Sequence, residues 1–330
     1  MIEVDGGWGE GGGQILRSSL ALSAITGQET KIVNIRVRRP NPGLRPQHLM
    51  ALKAVSKITS GEFSGGSVGS TEIRFKPGYV KGGEYEFDIG TAGSITLLLQ
   101  TIVPVLMFAD RESRLRVRGG TDVEWSPSMD YFRYLFLELL GRNGLRARCE
   151  IERRGYYPKG GGSVRAQVQP IQGQRALDFR SRGEQKRIWG RIHSNLRGEV
   201  TDRLVRSVKG EVEVERSDAI SPGIGITLFA DYGKTILGSC ALGERGVRAK
   251  EVGRRCWEEL KMEIDSKATL DLYAMDQMIP YMGLFGGAGR ARELSLHAST
   301  NIHVAEIFLG CGFKVEESSG GVFVFRASSG

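Results

Sequence analysis

The stretch MDYFRYLFLELLGRNGLRARCEIERRGYYPKGGGSVRAQ, residues 129–167, contains one complete folding pattern. Tyr131, Leu135 and Leu139 recur at helical spacing, and Gly141 marks where that helix stops. Residues 145–151 then read as a strand, Gly160, Gly161 and Gly162 turn the chain, and residues 163–168 alternate as a second strand. Helix, strand, glycine hairpin and strand form the local unit.

The end of the chain repeats it. A helix from Thr300 stops near Leu309 and Gly310, a strand covers residues 313–316, Ser318-Ser319-Gly320-Gly321 turns, and residues 322–325 alternate. Residues 47–75 read as a looser third copy. Recurrence of a supersecondary unit at intervals far longer than solenoid repeats predicts duplicated α/β modules. Residues 180–266 break the pattern with a basic strand (186–192), a helix (200–208), two strands (211–215 and 225–231) and a helix over 249–262. Val252, Cys256, Trp257 and Leu260 make one apolar face of that last helix, as on a surface helix with its own small core. The expected organisation is a large domain, residues 1–179 and 267–330, with a smaller α/β domain inserted at 180–266.

Composition narrows the class. The 330 residues amount to roughly two domains at about 150 residues each. With 40% hydrophobic and 25% charged residues, the chain belongs with globular proteins rather than disordered ones. Glycine, at 46 residues, runs at about twice ordinary usage without a collagen period, which points to loops shaped by backbone. The four cysteines, Cys149, Cys240, Cys256 and Cys311, are scattered, so neither structural zinc nor a disulfide framework is expected. Residues 1–5 carry no signal-peptide pattern, and Gly90, Gly93, Ser94, Gln100 and Pro104 interrupt the uncharged stretch 89–109. We expect a cytoplasmic protein with no membrane partner, and a buried helix within 89–109. The net charge of +8 is concentrated: residues 31–50 hold five bases and no acid. Such patches suit polyanions.

Four stretches are candidates for chemistry. Asp5-Gly6-Gly7-Trp8-Gly9-Glu10-Gly11-Gly12-Gly13-Gln14 precedes a helical pattern with Arg17 one turn in. It is either an anion-binding loop with Glu10 as a metal ligand, or a tight hairpin that needs glycine. It is not a Walker A loop, since no Gly-Lys-Ser/Thr closes it. Residues 38–48 offer Arg38, Arg39 and Arg45 as guanidinium forks for phosphate, or form a solvated basic loop in which Gln47 and His48 only cap a helix. Arg153-Arg154-Gly155-Tyr156-Tyr157-Pro158-Lys159 with its three glycines suits phosphate contact and base stacking, or a purely structural hairpin. His297, just before the last helix, is a candidate nucleophile or base, with a structural histidine as the alternative. His303 is its competitor, and His193 sits in a basic strand with no evident partner.

Together these stretches resemble the RNA 3′-terminal phosphate cyclases, from Asp5 to about Ser299. The sharpest match is Arg154-Gly155-Tyr156-Tyr157-Pro158-Lys159-Gly160-Gly161-Gly162. The glycine loop, Pro42-Gly43-Leu44-Arg45-Pro46-Gln47-His48, Gly90 to Gln100, Gly119-Gly120-Thr121 with Pro127, Tyr273 with Asp276-Gln277, and His297 with Thr300-Asn301 also match. The resemblance implies an α/β fold of the α+β type: three repeated βαβαββ-like units, related to those of the enolpyruvyl transferases, with a small α/β domain inserted. It implies a ligase-class enzyme using ATP as co-substrate and a divalent metal, Mg²⁺ or Mn²⁺, and acting on RNA with a 3′-phosphate end. No obligate protein partner is implied. His297 would take AMP from ATP covalently, pass it to the RNA phosphate, and the neighbouring 2′-hydroxyl would close a 2′,3′-cyclic phosphate.

Carried over residue by residue, Glu10 matches the metal-binding acid. Gln14, Arg17, Arg39, Gln47, His48 and Gln100 match polar groups around the nucleotide and RNA phosphates, with Arg45 beside them. Tyr273 and Pro127 match the walls of the adenine site, and Asp276 and Gln277 lie next to it. The loop at Pro127 has one proline where family members often have two. The competing readings are a non-catalytic, cyclase-like RNA-binding protein of ribosome assembly, which would lack the nucleophile, and an enolpyruvyl transferase sharing only the modular fold.

Overall fold

Pairing two neighbouring strands in parallel requires a crossover long enough for a helix, and three units of this chain meet that requirement within one repeated pattern. The computed structural model describes residues 1–173, 175–318 and 320–328. The first unit runs β1 (Ile2–Asp5), α1 (Gly13–Thr26), β2 (Thr30–Val33), α2 (Pro46–Thr59), β3 (Glu62–Ser64) and β4 (Ile73–Lys76). The second runs β5 (Glu84–Asp88), α3 (Ile95–Leu106), β6 (Ser113–Gly119), a helix, β7 (Ala147–Arg153) and β8 (Gly162–Val168). That helix consists of α4 (Met129–Tyr131), a π-helical turn over Phe132–Phe136 and α5 (Leu137–Arg142).

The third unit begins at β9 (Leu177–Phe179) and is interrupted. Between lie β10 (Arg187–Ser194), α6 (Gly198–Val205), β11 (Glu211–Arg216), β12 (Ile224–Asp231), β13 (Ile236–Leu242) and α7 (Ala249–Asp265). It resumes with α8 (Leu272–Phe285), β14 (Gly287–Ala291), α9 (Leu296–Leu309), β15 (Phe313–Glu317) and β16 (Phe323–Ala327). Each of these units is βαβαββ, and its sheet has the order first, second, fourth, third strand: β1-β2-β4-β3, β5-β6-β8-β7 and β9-β14-β16-β15, whereas the sheet of the interrupting segment has the order β11-β10-β12-β13. In each the first pair is parallel and the other two are antiparallel. The fold is α+β, as expected.

Each sheet has one buried face. Along β6, Ser113, Leu115, Val117 and Gly119 point inward while Arg114 and Arg118 are exposed, the period-two pattern of a half-buried strand. The helices cover those faces and meet one another, α1 packing on α2, α3 and α9. Leu16, Leu20, Leu52, Leu99, Leu135, Met278 and Val304 belong to the resulting shared core. Residues of the interrupting segment form a second cluster, with Ile192, Leu204, Ile226, Leu228, Val252, Cys256 and Leu260 buried together.

Several local expectations shift. The helix expected to stop at Gly141 runs to Arg142, and the glycine that reverses the chain is Gly144, at φ 85°. The last helix starts at Leu296, not Thr300, because the Ser295 side chain accepts the Ala298 N–H at 2.8 Å and caps it. β13 was not anticipated, its Gly238-Ser239-Cys240 centre lacking branched residues. Ser319 of the expected turn lies outside the described residues.

The hairpin after β7 is structural in its two most chemical residues. Arg154 is 1% exposed and donates to Asp122 Oδ2 at 3.1 Å, Asp130 Oδ2 at 2.8 Å and Glu215 Oε2 at 2.8 Å. Glu215 lies on β11, so this cluster ties the second unit to the interrupting segment. Tyr156 is buried and its hydroxyl pairs with His193 Nδ1 at 2.8 Å, while His193 Nε2 lies 3.3 Å from Asp122 Oδ1. His193 therefore has partners after all. Removing one member of a buried ion cluster leaves charge uncompensated, at about 3–5 kcal/mol. Arg154→Ala is expected to lose stability by about that amount in urea unfolding followed by tryptophan fluorescence. Arg154→Lys should recover only part of it, since one ammonium cannot fork to three carboxylates.

Candidate active site

The glycine loop between β1 and α1 closes on the first turn of α9. Glu10, in that loop, pairs with the Arg39 guanidinium and lies 3.3 Å from His297 Nδ1 through Oε2. His297 is the second residue of α9, inside the helix rather than before it. Burial lowers the affinity of the His297 ring for a proton, Glu10 opposes this, and Arg17 and Arg39 reinforce it, so its pKa falls below the ordinary value. The imidazole is held towards its neutral form.

Behind the loop, α1 and α9 meet through polar side chains. Gln14 Nε2 donates to Asn301 Oδ1 at 3.1 Å, Ser18 Oγ donates to the same oxygen at 2.6 Å, and Asn301 Nδ2 donates to the Asp276 carbonyl at 2.6 Å. Arg17 donates to Gln14 Oε1 at 2.8 Å. Burial pulls the Arg17 guanidinium down to about 10, with Glu10 opposing. Gly13 leaves room for two side chains of this wall: a Cβ there would lie 2.3 Å from His48 Nε2 and 2.9 Å from Arg17 Nη1.

His48 is buried, and its Nδ1 accepts the Arg45 N–H at 3.1 Å, which caps α2. Burial, then Arg17, Arg36 and Arg45, push its pKa down to about 3, so it is neutral. The capping reading of His48 holds, but the surface reading does not. Gln47 Oε1 accepts the Ser94 N–H at 3.1 Å, linking this wall to the start of α3. Arg45 is exposed beside it.

Gln14, Arg17, Gln100, Gln277, Tyr281 and Asn301 line one cleft. Arg17 Nε, Gln100 Nε2, Gln277 Oε1 and the Tyr281 hydroxyl are buried there without a hydrogen-bond partner among the described residues. Such atoms call for a polar ligand or water. Asp276 is 7% exposed and accepts the Ser295 hydroxyl at 2.5 Å. Pro127 and Tyr273 have separate neighbours: the Pro127 carbonyl accepts the Thr96 hydroxyl at 2.9 Å, and burial and the nearby Glu259 of α7 push the Tyr273 hydroxyl's pKa up. Direct contact thus joins Glu10, Arg39 and His297, and separately Gln14 and Arg17, whose charge acts on both Glu10 and His297, with His48 beside Gly13. Sequence reasoning missed Ser18 and Ser295, although a serine before an apolar helical run is a cap signal.

The family model for RNA 3′-terminal phosphate cyclase matches residues 8–315. This chain belongs to that family. Proteins named RNA 3′-terminal phosphate cyclase from Methanosarcina acetivorans and Pyrococcus furiosus are each 43% identical to it. The first alignment covers 97% of this chain and 98% of the relative, the second 98% and 96%. That from Nitrosospira multiformis is 42% identical over 97% of this chain and 94% of its own. An EPSP synthase structure from Acinetobacter baumannii aligns at TM-score 0.30 and 11% identity, over 96% of this chain and 62% of that one, too weakly to carry an argument. Within the family assignment, Glu10, Arg17, Arg39 and His297 are a compact basic site around one carboxylate and one imidazole.

Burial raises the Asp276 carboxyl from 3.8 to about 7. Between about pH 4 and pH 7 the folded state therefore keeps a proton that the unfolded chain has released, and this group's contribution to stability falls as pH rises. Asp276→Asn keeps an oxygen for the Ser295 hydroxyl. It is expected to flatten that slope and to melt above the parent protein at pH 8. Identical melting profiles for the two proteins from pH 4 to pH 8 would exclude the shifted carboxyl.

Proposed function

We propose that the chain converts an RNA 3′-phosphate end to a 2′,3′-cyclic phosphate at the expense of ATP, with His297 carrying AMP. The observation that carries this reading is His297 Nδ1 facing Glu10 at 3.3 Å, in a pocket where Arg17 and Arg39 supply positive charge. With Nδ1 on the carboxylate side, Nε2 is the ring nitrogen left to attack. It forms a bond to the α-phosphorus of ATP as the bond to pyrophosphate breaks, and pyrophosphate leaves with the electron pair. An oxygen of the RNA 3′-phosphate then displaces the imidazole from phosphorus. The 2′-hydroxyl next attacks the RNA phosphorus, loses its proton, and AMP departs.

Each step suits the residues. A neutral imidazole is nucleophilic near pH 7 and its phosphoramidate passes AMP onward. Arg17, Arg39 and Arg45 screen the phosphates, and the unpartnered atoms of Gln100 and Gln277 are suited to hydrogen-bond the nucleotide. Gln14, Gln47 and His48 shape the phosphate wall, while Pro127, Tyr273 and Asp276 belong to the adenine side by family resemblance alone. Activating the phosphate as a mixed anhydride leaves the 2′-hydroxyl needing little more than alignment.

A divalent metal fits modestly. No cluster of three or more His, Cys, Asp or Glu side chains gathers among the described residues. Glu10 Oε2, however, is buried without a hydrogen-bond partner, and Mg²⁺ commonly takes one or two carboxylates with phosphate oxygens and water. When bound, Mg²⁺ or Mn²⁺ would neutralise charge on the phosphates. We further assign residues 180–266 to an inserted domain, supported by their separate core. The compartment is cytoplasmic, supported by four free cysteines. No helix among the described residues is long and apolar enough to cross a membrane.

Incubation with α-labelled ATP and Mg²⁺ or Mn²⁺ is expected to give acid-labile label on the protein and cyclic ends on 3′-phosphorylated RNA. His297→Ala should lose both, and EDTA should suppress both in the parent. Full labelling of His297→Ala would move the nucleophile elsewhere.

A further inference from the structure

The loop that carries Glu10 has six glycines between residues 6 and 13, and glycine loses more conformational freedom on ordering than any other residue. Something must hold that loop in register with His297. Three consecutive loop residues meet three positions on one face of α9, one helical turn apart. Glu10 Oε2 lies 3.3 Å from His297 Nδ1. Gly9, at φ 58°, lies so close to the helix that a Cβ would stand 2.7 Å from Thr300 Oγ1. That hydroxyl is fixed by its own bond to the Leu296 carbonyl at 2.7 Å. Trp8 stacks on His303 with ring centroids 4.0 Å apart and planes 11° from parallel. Positions 297, 300 and 303 share a face because side chains three apart on a helix are neighbours.

The geometry points to Trp8 and His303 as a pair of positioning residues for the His297 step, an inference that rests on the functional reading above. Neither ring meets the Glu10 carboxylate or the His297 ring. Their stack is the only one of the three contacts made by two large rigid groups, and it lies two turns along α9 from the nucleophile. The Trp8 carbonyl also accepts the Gly11 N–H at 3.0 Å, and the Trp8 N–H donates to the Asp5 carbonyl at 3.1 Å. The Trp8 backbone is thus tied into the turn that delivers Glu10, and the indole extends from it onto His303. Sliding the loop along α9 would break the stack and drive Gly9 into Thr300 before Glu10 reached another partner. A reacting group displaced by about 1 Å costs up to about a hundredfold in rate, so a loosened loop would show in the rate of label transfer rather than in nucleotide affinity.

The test is a double-mutant cycle on single-turnover labelling by α-labelled ATP at saturating concentration. Trp8→Ala and His303→Ala are each expected to slow labelling about tenfold, with KM for ATP within about twofold and melting temperature nearly unchanged. The double variant should be no slower than the slower single one, because removing either ring removes the whole stack. Trp8→Phe and His303→Phe, which keep two stacked rings, should restore most of the rate. The His297 imidazole resonance, assigned by its loss in His297→Ala, should move in Trp8→Ala without ATP present. Wild-type rates in both single variants, or effects that multiply in the double variant, would overturn the inference. If Trp8→Ala does not fold, His303→Ala decides alone, since it leaves α9 intact, and an unchanged rate there sinks the pairing. If the unaltered protein takes no label at all, the functional reading fails and this inference with it. Label on the unaltered protein with no effect of either variant rejects only the positioning role.

Discussion

The packing of α1 against α9 is the contact on which the site depends. A βαβαββ unit buries one sheet face under two helices, and those helices still carry apolar surface that one unit cannot cover. Bringing three units together buries it, and α1 becomes the shared element, in contact with α2, α3 and α9. Apolar packing alone tolerates some sliding between helices. The α1–α9 seam is instead polar: Gln14 and Ser18 both donate to Asn301 Oδ1, and Asn301 is fully buried. A buried hydrogen-bonded network has few satisfied arrangements, so it sets register where hydrophobic contact would not. With that register fixed, the residues before α1 arrive at the first turn of α9.

The glycine hairpin with Arg154 shows how the residues that make a signature specific can serve the fold, while Arg153, Tyr157 and Lys159 stay exposed. Its composition, with bases, aromatic rings and glycines, suits phosphate and base contact. The structure gives Arg154 to three carboxylates and Tyr156 to His193. The glycines serve close approach: a Cβ on Gly155 would lie 2.3 Å from the Gly162 nitrogen, and one on Gly160 2.8 Å from the Ala92 Cα. A buried guanidinium among three acids needs every partner in place. The run is therefore specific to the fold because it joins the second unit to the interrupting segment.

What was legible in the sequence was local. The second half of each unit, helix, strand, glycine turn and strand, could be read because its turns need glycine and those glycines punctuate the helix and strand patterns. The first halves were harder, since β1 and β2 are four residues each and β9 three, too short for alternation to register. Within the site, Glu10, Arg17, Arg39, His48 and His297 were all singled out, but their meeting was not derivable. Gln14 and Asn301 are 287 residues apart, and spacing carries no information at that range. Ser295 was the readable miss. Taking it as the cap would have put His297 inside α9 from the start.

That placement changes the chemistry available to His297. In the first turn of a helix the N–H groups are not all used by the helix itself, and the aligned peptide dipoles leave net positive character there. The Ser295 side chain satisfies the Ala298 N–H, but the direction of the dipole remains. An imidazole in that turn is disfavoured as a cation, which adds to the effect of burial, Arg17 and Arg39 in keeping it neutral. The same field attracts an anion. A neutral imidazole and a site attractive to phosphate therefore go together, because the positive groups that attract an anion also disfavour the imidazolium. Here the helix end supplies part of that charge without any titratable group. Glu10 is the single negative charge at the centre, and the loop that holds it can approach α9 only because Gly9 leaves room beside Thr300.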